Sequence, residues 1–221
     1  MKIAEFNAET KEIYEYLTNS RGVKYLVHFT PVENLRTILQ YGILPRRELA
    51  ESNIPAVMPD GDRFDSKHDC SSFSVSFPNY RMLSKKRFSS SEGGNYYAVI
   101  LIDVDVIGLF SSDDLFFFST NAAVKDYRFE ENRFMVKGVY ALKEMFLGRR
   151  FPNLPAEYPS DPQAEIMIRG AIPPEYIDSI FFCPNDDIDP FSYVPPAAKS
   201  KIKISKEYFD PREDYQFWQK R

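Results

Sequence analysis

The chain has 221 residues, 43% of them hydrophobic and including 19 Phe and 14 Tyr, enough apolar surface for one generous core and too much for wholesale disorder. A formal net charge of −4 excludes a surface that is basic throughout, so any polyanion has to be held by a local patch. Two cysteines (Cys70, Cys183) are too few for a disulfide framework, and with only two histidines (His28, His68) a dedicated zinc site is not expected.

No apolar run approaches the roughly 18 residues of a membrane helix, and the first residues are charged and amphipathic rather than continuously apolar. A soluble protein of the reducing cytoplasm is expected, organised as one domain over residues 1–221. Residues 8–18 set Ile13, Tyr14 and Leu17 at helical spacing, with Asn7 available as a cap. After a polar turn, Tyr25–Phe29 reads as a short strand followed at once by helix-start signals. Thr30 as N-cap, Pro31 at the first helical position and Glu33 three residues after the cap predict a capping box. Leu35, Ile38 and Leu39 form the buried stripe of that helix, and Gly42 ends it. His28 then stands between a strand and a helix N-terminus, where backbone N–H groups and the dipole suit the polar groups of a nucleotide. A histidine satisfied inside the core would look the same.

Residues 44–69 carry Pro45, Pro55, Pro59 and Gly61 and read as loop, with a helical turn near Arg46–Glu51. Inside this loop Asp62-Arg63-Phe64-Asp65 brackets an arginine with two carboxylates, a pattern that a solvated ion cluster also produces. Cys70–Phe77 alternates Phe73, Val75 and Phe77 with Ser72, Ser74 and Ser76, a half-buried strand, and Pro78-Asn79-Tyr80 stops it. Arg81, Lys85, Lys86 and Arg87 follow with no acid between them, beside Tyr80 and Phe88. This is the best local patch for a polyanion, although charged surface faces produce similar runs.

Tyr96–Val104 is a continuous apolar run suited to a central strand. An acidic turn leads to Phe116-Phe117-Phe118 and then Ser119-Thr120-Asn121-Ala122-Ala123; Val139, Leu142 and Phe146 carry a helix through residues 137–147. Residues 149–162 hold four prolines, a stiff loop positioned to contact a second substrate. Pro162 suits the first residue of a strand and not its middle, because it cannot donate a ladder hydrogen bond. After it Ala164, Ile166 and Ile168 alternate with Gln163, Glu165 and Met167. Glu165 is thus a carboxylate among apolar neighbours: an edge-strand residue facing water, or a catalytic group at a cleft wall. Ile177–Phe182 is a further strand. Asp186-Asp187-Ile188-Asp189 lacks the glycine and distal glutamate of a calcium loop, and no metal is expected. Lys199, Lys201 and Lys203 alternate with Ile202 and Ile204 as a cationic edge strand, and the tail with Tyr208, Phe209 and Trp218 is expected to pack back as a last turn or helix.

Five stretches, in this order, resemble the DarT family of DNA ADP-ribosyltransferases, the toxin half of a bacterial toxin–antitoxin pair. They are the run from Val27-His28-Phe29-Thr30-Pro31 through Leu35, Ile38-Leu39 and Gly42; Asp62-Arg63-Phe64-Asp65; Ser74 to Met82; Ser119 to Ala123; and Asp161-Pro162-Gln163-Ala164-Glu165. The resemblance implies an α+β ADP-ribosyltransferase fold, two small β-sheets packed together with flanking helices and NAD in the cleft between. It implies that His28, Phe29 and Thr30 hold the NAD co-substrate, that Thr37 and the Leu44-Pro45 turn line the same pocket, and that Glu165 is catalytic with Arg63 as its partner at the cofactor. The family transfers ADP-ribose to a base of single-stranded DNA, thymine in one branch and guanine in another, and a macrodomain antitoxin reverses the modification.

The chemistry of the residues agrees. Breaking the nicotinamide–ribose bond builds oxocarbenium character that a carboxylate on a ribose hydroxyl can stabilise, and the acceptor base must then lose a proton. Arg63, always protonated, fits phosphate or base positioning rather than proton abstraction. DNA contact is expected along Tyr80, Arg81, Lys85, Lys86 and Arg87, with Lys199–Lys206 as a second patch. An NAD glycohydrolase, or a transferase acting on RNA or protein, would use the same cleft. A degenerate NAD-binding module would have no reason to keep both His28 and Glu165.

Overall fold

The structure, a computed structural model, describes residues 7–58, 68–88, 95–123 and 136–218. Within them the strands are β1 (Tyr25–Pro31), β2 (Cys70–Val75), β3 (Tyr97–Asp103), β4 (Leu115–Phe118), β5 (Glu165–Arg169), β6 (Ile177–Phe182) and β7 (Ile202–Ile204). They lie side by side in the order β4-β5-β2-β1-β3-β6-β7, antiparallel throughout except for the β6–β7 pair. β1 and β2 meet over a short seam, Leu26 opposite Val75 and Val27 opposite Ser74, with the Ser76 N–H donating to the Tyr25 carbonyl at its closed end. The two small sheets expected from the resemblance are therefore present as two halves of one strand order, β4-β5-β2 and β1-β3-β6-β7, meeting at that short seam.

β3 is buried from Tyr97 to Ile102, as its unbroken apolar run requires, because β1 and β6 flank it and both faces are covered. One face carries Ile100 and Ile102 into the main core with Ile13, Leu17, Leu35 and Ile166, under α1 (Ala8–Glu15) and α2 (Leu35–Tyr41). The other carries Tyr97, Val99 and Leu101 against Leu83 of α4 (Tyr80–Arg87), with Tyr208 and Phe209 of the tail packed alongside. Asn7 caps α1 as expected, its side chain accepting from the Thr10 N–H at 2.7 Å. The expected turn at α3 (Arg46–Glu51) and the helix α5 (Gly138–Glu144) are both present.

Four local expectations need correction. Lys199 and Lys201 lie in a 3₁₀ turn (Pro196–Lys201), and the edge strand holds only Lys203 of the three lysines, between Ile202 and Ile204. The capping box at Thr30 does not form: Thr30 and Pro31 stay in β1, opposite Ala98 and Tyr97, and a 3₁₀ turn over Val32–Asn34 precedes α2 without any side-chain cap. The pairing of β1 with β3 outweighs the cap, and Pro31 is tolerated because it ends the strand. β2 is buried more fully than a half-buried strand: Ser71 and Ser74 are buried along with Phe73 and Val75, and of its six residues only Ser72, at the cleft, is intermediate. β5 lies between β4 and β2, which removes the edge-strand reading of Glu165.

A buried ion pair fixes the approach to β5. Arg212 and Asp214 are 2% and 1% exposed, bonded bidentately at 2.6 Å and 2.6 Å. Arg212 also donates to the carbonyls of Pro159 (3.0 Å) and Ser160 (3.2 Å), and Trp218 of α6 (Tyr215–Trp218) donates to Asp214 at 2.9 Å. The tail thus packs back as expected, and its reach sets the loop that leads to Glu165.

Gly42 ends α2 in a conformation open to glycine alone, φ 89° and ψ −176°, and a Cβ there would lie 2.1 Å from the carbonyl oxygen of Ile172. That carbonyl is hydrogen-bonded to Ile43 in a two-way backbone bridge. Gly148, at φ 87°, has nothing near its would-be Cβ. Gly148→Ala should therefore cost only the left-handed backbone penalty of about 1–2 kcal/mol, whereas Gly42→Ala should cost clearly more. Urea melts of the two variants decide this; equal midpoints would mean that the Ile43–Ile172 bridge yields freely.

Candidate active site

Beyond the seam, β1 and β2 part. Past the Val27–Ser74 pair, toward Thr30 in β1 and Cys70 in β2, the two strands no longer pair, and the gap opens into a cleft of about 900 Å³, within the range of small-molecule sites. His28 spans the opening with its Nδ1 toward the carbonyl oxygen of Ser72 at 3.1 Å. A carbonyl only accepts, so Nδ1 carries the proton and the ring orientation is fixed. Phe73 supports the imidazole with its ring centroid 5.7 Å away. Phe29 and Thr30 continue the same wall.

Glu165 enters from the opposite half. It is the first residue of β5, opposite Phe118 of β4, and its Oε1 accepts from the Ala122 N–H at 2.6 Å. His28 and Glu165 share an inner recess of about 120 Å³ with Ser72, Asn79, Met82 and Gln163. Residues far apart in sequence are thus gathered into one small volume by the parting of β1 from β2.

The outer wall is a strap formed by residues 54–58 and held by Asn34. The Asn34 side chain donates to the Val57 carbonyl (2.9 Å) and to the Thr30 hydroxyl (3.0 Å), and accepts from the Val57 N–H (2.7 Å). Thr37 adds a contact with the Pro55 carbonyl at 3.4 Å. Thr37 and Leu44 line the cleft as the resemblance implies, while Pro45 is buried ahead of α3 and does not. Arg63 and its flanking Asp62 and Asp65 fall outside the described residues.

The cationic run folds as α4, capped by Asn79, whose side chain accepts from the Met82 N–H at 3.2 Å. Helical periodicity splits the patch that the sequence presents as one. Arg81, Lys85 and Lys86 line the cleft, and Arg46 of α3 joins them. Tyr80 and Arg87 point the other way and are 8% and 8% exposed. Arg87 is paired with Asp186 and stacked over Phe209 at 4.8 Å, so the expectation that it meets DNA is withdrawn for want of an available guanidinium. Burial pushes the Asp186 carboxyl up from its ordinary value even with Arg87 beside it. Burial likewise pushes the Tyr80 phenol up, with Asp214 adding to the shift. In the second patch, Lys201 is bound to the Ile177 carbonyl and Lys199 sits over the Phe191 ring; neither lines the cleft.

Sequence reasoning gave no role to Asn34, Ser72, Asn121 or Arg46. Asn34 and Asn121 do stand inside two of the stretches that carry the family resemblance, which is the signal that could have found them. Among the described residues no group of His, Cys, Asp and Glu could hold a metal ion, and no helix is long and apolar enough to cross a membrane.

A family model described as DarT, ssDNA thymidine ADP-ribosyltransferase, matches residues 27–210. The chain belongs to the DarT family. Two structures of Thermus sp. 2.9 DarT share its fold. The complex with NAD+ matches with TM-score 0.51 and 15% identity over 85% of this chain and 98% of that one. The complex with ADP-ribosylated ssDNA matches with TM-score 0.50 and 15% identity over 86% and 97%. Thermosipho africanus DarTG in complex with ADP-ribose matches at 16% identity and TM-score 0.48 over 84% of this chain, which spans about half (51%) of that longer protein. A search of curated proteins finds no match.

In this DarT chain the strap at residues 54–58 has no secondary structure of its own, and Asn34 holds it. Asn34→Ala should remove two hydrogen bonds to Val57, each worth about 0.5–1.5 kcal/mol. Amide exchange at Val57 is expected to speed up by at least about fivefold while β3 amides keep their protection. Unchanged exchange at Val57 would show that the strap is held by its apolar contacts instead.

Proposed function

We propose that this DarT-family chain transfers ADP-ribose from NAD to a thymine base of single-stranded DNA and releases nicotinamide. The observation that carries the reading is the meeting of His28 and Glu165 in one recess, at the inner end of a cleft large enough for a dinucleotide. The thymidine named for the family and the NAD+ and ADP-ribosylated ssDNA held by Thermus DarT support the same substrates here.

In this reading the β1 residues His28, Phe29 and Thr30 bind the NAD end that reacts, with Thr37, Leu44 and the strap around the rest. The glycosidic C–N bond breaks with its electron pair leaving on nicotinamide, and positive charge develops on the ribose. The Glu165 carboxylate stabilises that charge through a ribose hydroxyl. A nitrogen of the base then attacks the anomeric carbon and gives up its proton, which Glu165 is positioned to receive. Arg63, by the family motif, orients phosphate or base. The row Arg81, Lys85 and Lys86 attracts the strand electrostatically, which reconciles DNA as a substrate with a net charge of −4. The partner proposed is a macrodomain antitoxin that removes the modification. The cytoplasm is the proposed location, where the buried Cys70 and Cys183 stay reduced.

The test is incubation with labelled NAD and single-stranded oligonucleotides that each lack one base. Label should appear on every oligonucleotide except the one without thymine, and Glu165→Gln should lower transfer by on the order of 10²-fold or more. Label on thymine-free DNA alone would move the target to another base. Free ADP-ribose with unlabelled DNA would make the chain a glycohydrolase.

The DNA path has its own measurement. Each phosphate contact contributes about 0.7 to the slope of log affinity against log salt for a single strand. Replacing Lys85 and Lys86 with Ala should flatten the slope by up to about 1.4. Arg87→Ala should leave it unchanged and lower the melting temperature, since it orphans Asp186. Parallel slopes in the double variant would take the DNA away from α4.

A further inference from the structure

β4 and β5 are paired through Phe118 opposite Glu165, so the chain leaving β4 runs beside the carboxylate. It turns back at once. Asn121 Oδ1 accepts from the Ala123 N–H at 2.8 Å, a turn in which a side-chain amide takes the place of a backbone carbonyl. Between the two lies Ala122, only 3% exposed, whose N–H is aimed at Glu165 Oε1 at 2.6 Å. A backbone N–H on a carboxylate is a charge-assisted bond and, unlike a water, it cannot reorient.

We infer that Asn121 is a positioning residue for Glu165: its side-chain carbonyl sets the turn, the turn sets the Ala122 N–H, and that N–H fixes the carboxylate. The inference rests on the reading of Glu165 as the reacting carboxylate. Asn121 itself borders the recess, so a direct substrate contact is the rival that the experiment has to separate. The two differ in where the loss appears. Misplacing a catalytic group by about 1 Å can cost on the order of 10²-fold in turnover, with ground-state binding unaffected. A lost substrate contact raises KM and acts whether or not Glu165 is intact.

The experiment measures kcat, KM for NAD and melting temperature for Asn121→Ala, Asn121→Asp, Glu165→Asp and the double variant Asn121→Ala/Glu165→Asp. Asn121→Ala should lower kcat by about 10- to 100-fold with KM within about twofold. Asn121→Asp, which keeps an oxygen to accept from Ala123, should retain more turnover than Asn121→Ala. In the Glu165→Asp background, where the shortened carboxylate no longer meets the Ala122 N–H, Asn121→Ala should cost less than about threefold more. Full turnover in Asn121→Ala, a raised KM at unchanged kcat, or multiplicative losses in the double variant would each overturn the inference. So would a loss of kcat that tracks a falling melting temperature. A readout free of turnover accompanies these: the Ala122 amide proton should resonate well downfield in the wild type and move upfield in both Asn121→Ala and Glu165→Gln. If the wild type itself transfers no ADP-ribose, the reading of Glu165 fails first and is seen to fail in that control; an Ala122 amide indifferent to Asn121→Ala sinks the positioning role alone.

Discussion

The parting of β1 from β2 after two paired residues is the constraint from which the rest of the site follows. Up to Leu26–Val75 and Val27–Ser74 the two halves of the sheet are one surface; beyond that point each strand faces a gap. Backbone groups exposed in such a gap need partners, and the His28 imidazole supplies one to the Ser72 carbonyl. The same separation lets His28 from one half and Glu165 from the other line a common recess. Continuous pairing of β1 with β2 would leave no cleft between them.

Where the chain leaves regular structure, in residues 54–58 and in the proline-rich approach to β5, side chains take over the work of backbone ladders. Asn34 pairs with both polar groups of Val57 as a neighbouring strand would. Arg150 donates to the carbonyls of Pro155 and Tyr158, and Arg212 to those of Pro159 and Ser160. Proline supplies no donor, so a loop rich in it leaves its carbonyls to be met by arginine forks. The Arg212–Asp214 pair is buried and fully bonded, the condition under which a buried ion pair avoids a large desolvation penalty, and breaking it from one side would cost about 3–5 kcal/mol.

Charge is organised in the same local way. A net charge of −4 coexists with a cationic wall because α4 turns Arg81, Lys85 and Lys86 toward the cleft, where Arg46 joins them, while Arg87 is spent on Asp186. An anionic substrate meets that wall rather than the average surface, and its attraction falls with salt as the cations are screened.

What the sequence determined by itself are the features written in neighbouring residues: the strand of Tyr97–Ile102 from its apolar run, the stop at Gly42, the Asn7 cap, the β5 alternation with Ile166 and Ile168 on the core side, and the family through short ordered motifs. These depend on local sterics and burial, which act over a few residues and leave a mark in composition and spacing. Tertiary structure alone decided whether Thr30 would cap a helix or stay in a strand, since its pairing partner Ala98 lies far along the chain. It alone decided that Arg87 would face Asp186, that Asn34 would hold Val57, and that Ala122 would meet Glu165. Each of these is a choice between a local partner and a distant one, and the distant one wins when the packing of the sheet has already brought it within hydrogen-bond reach.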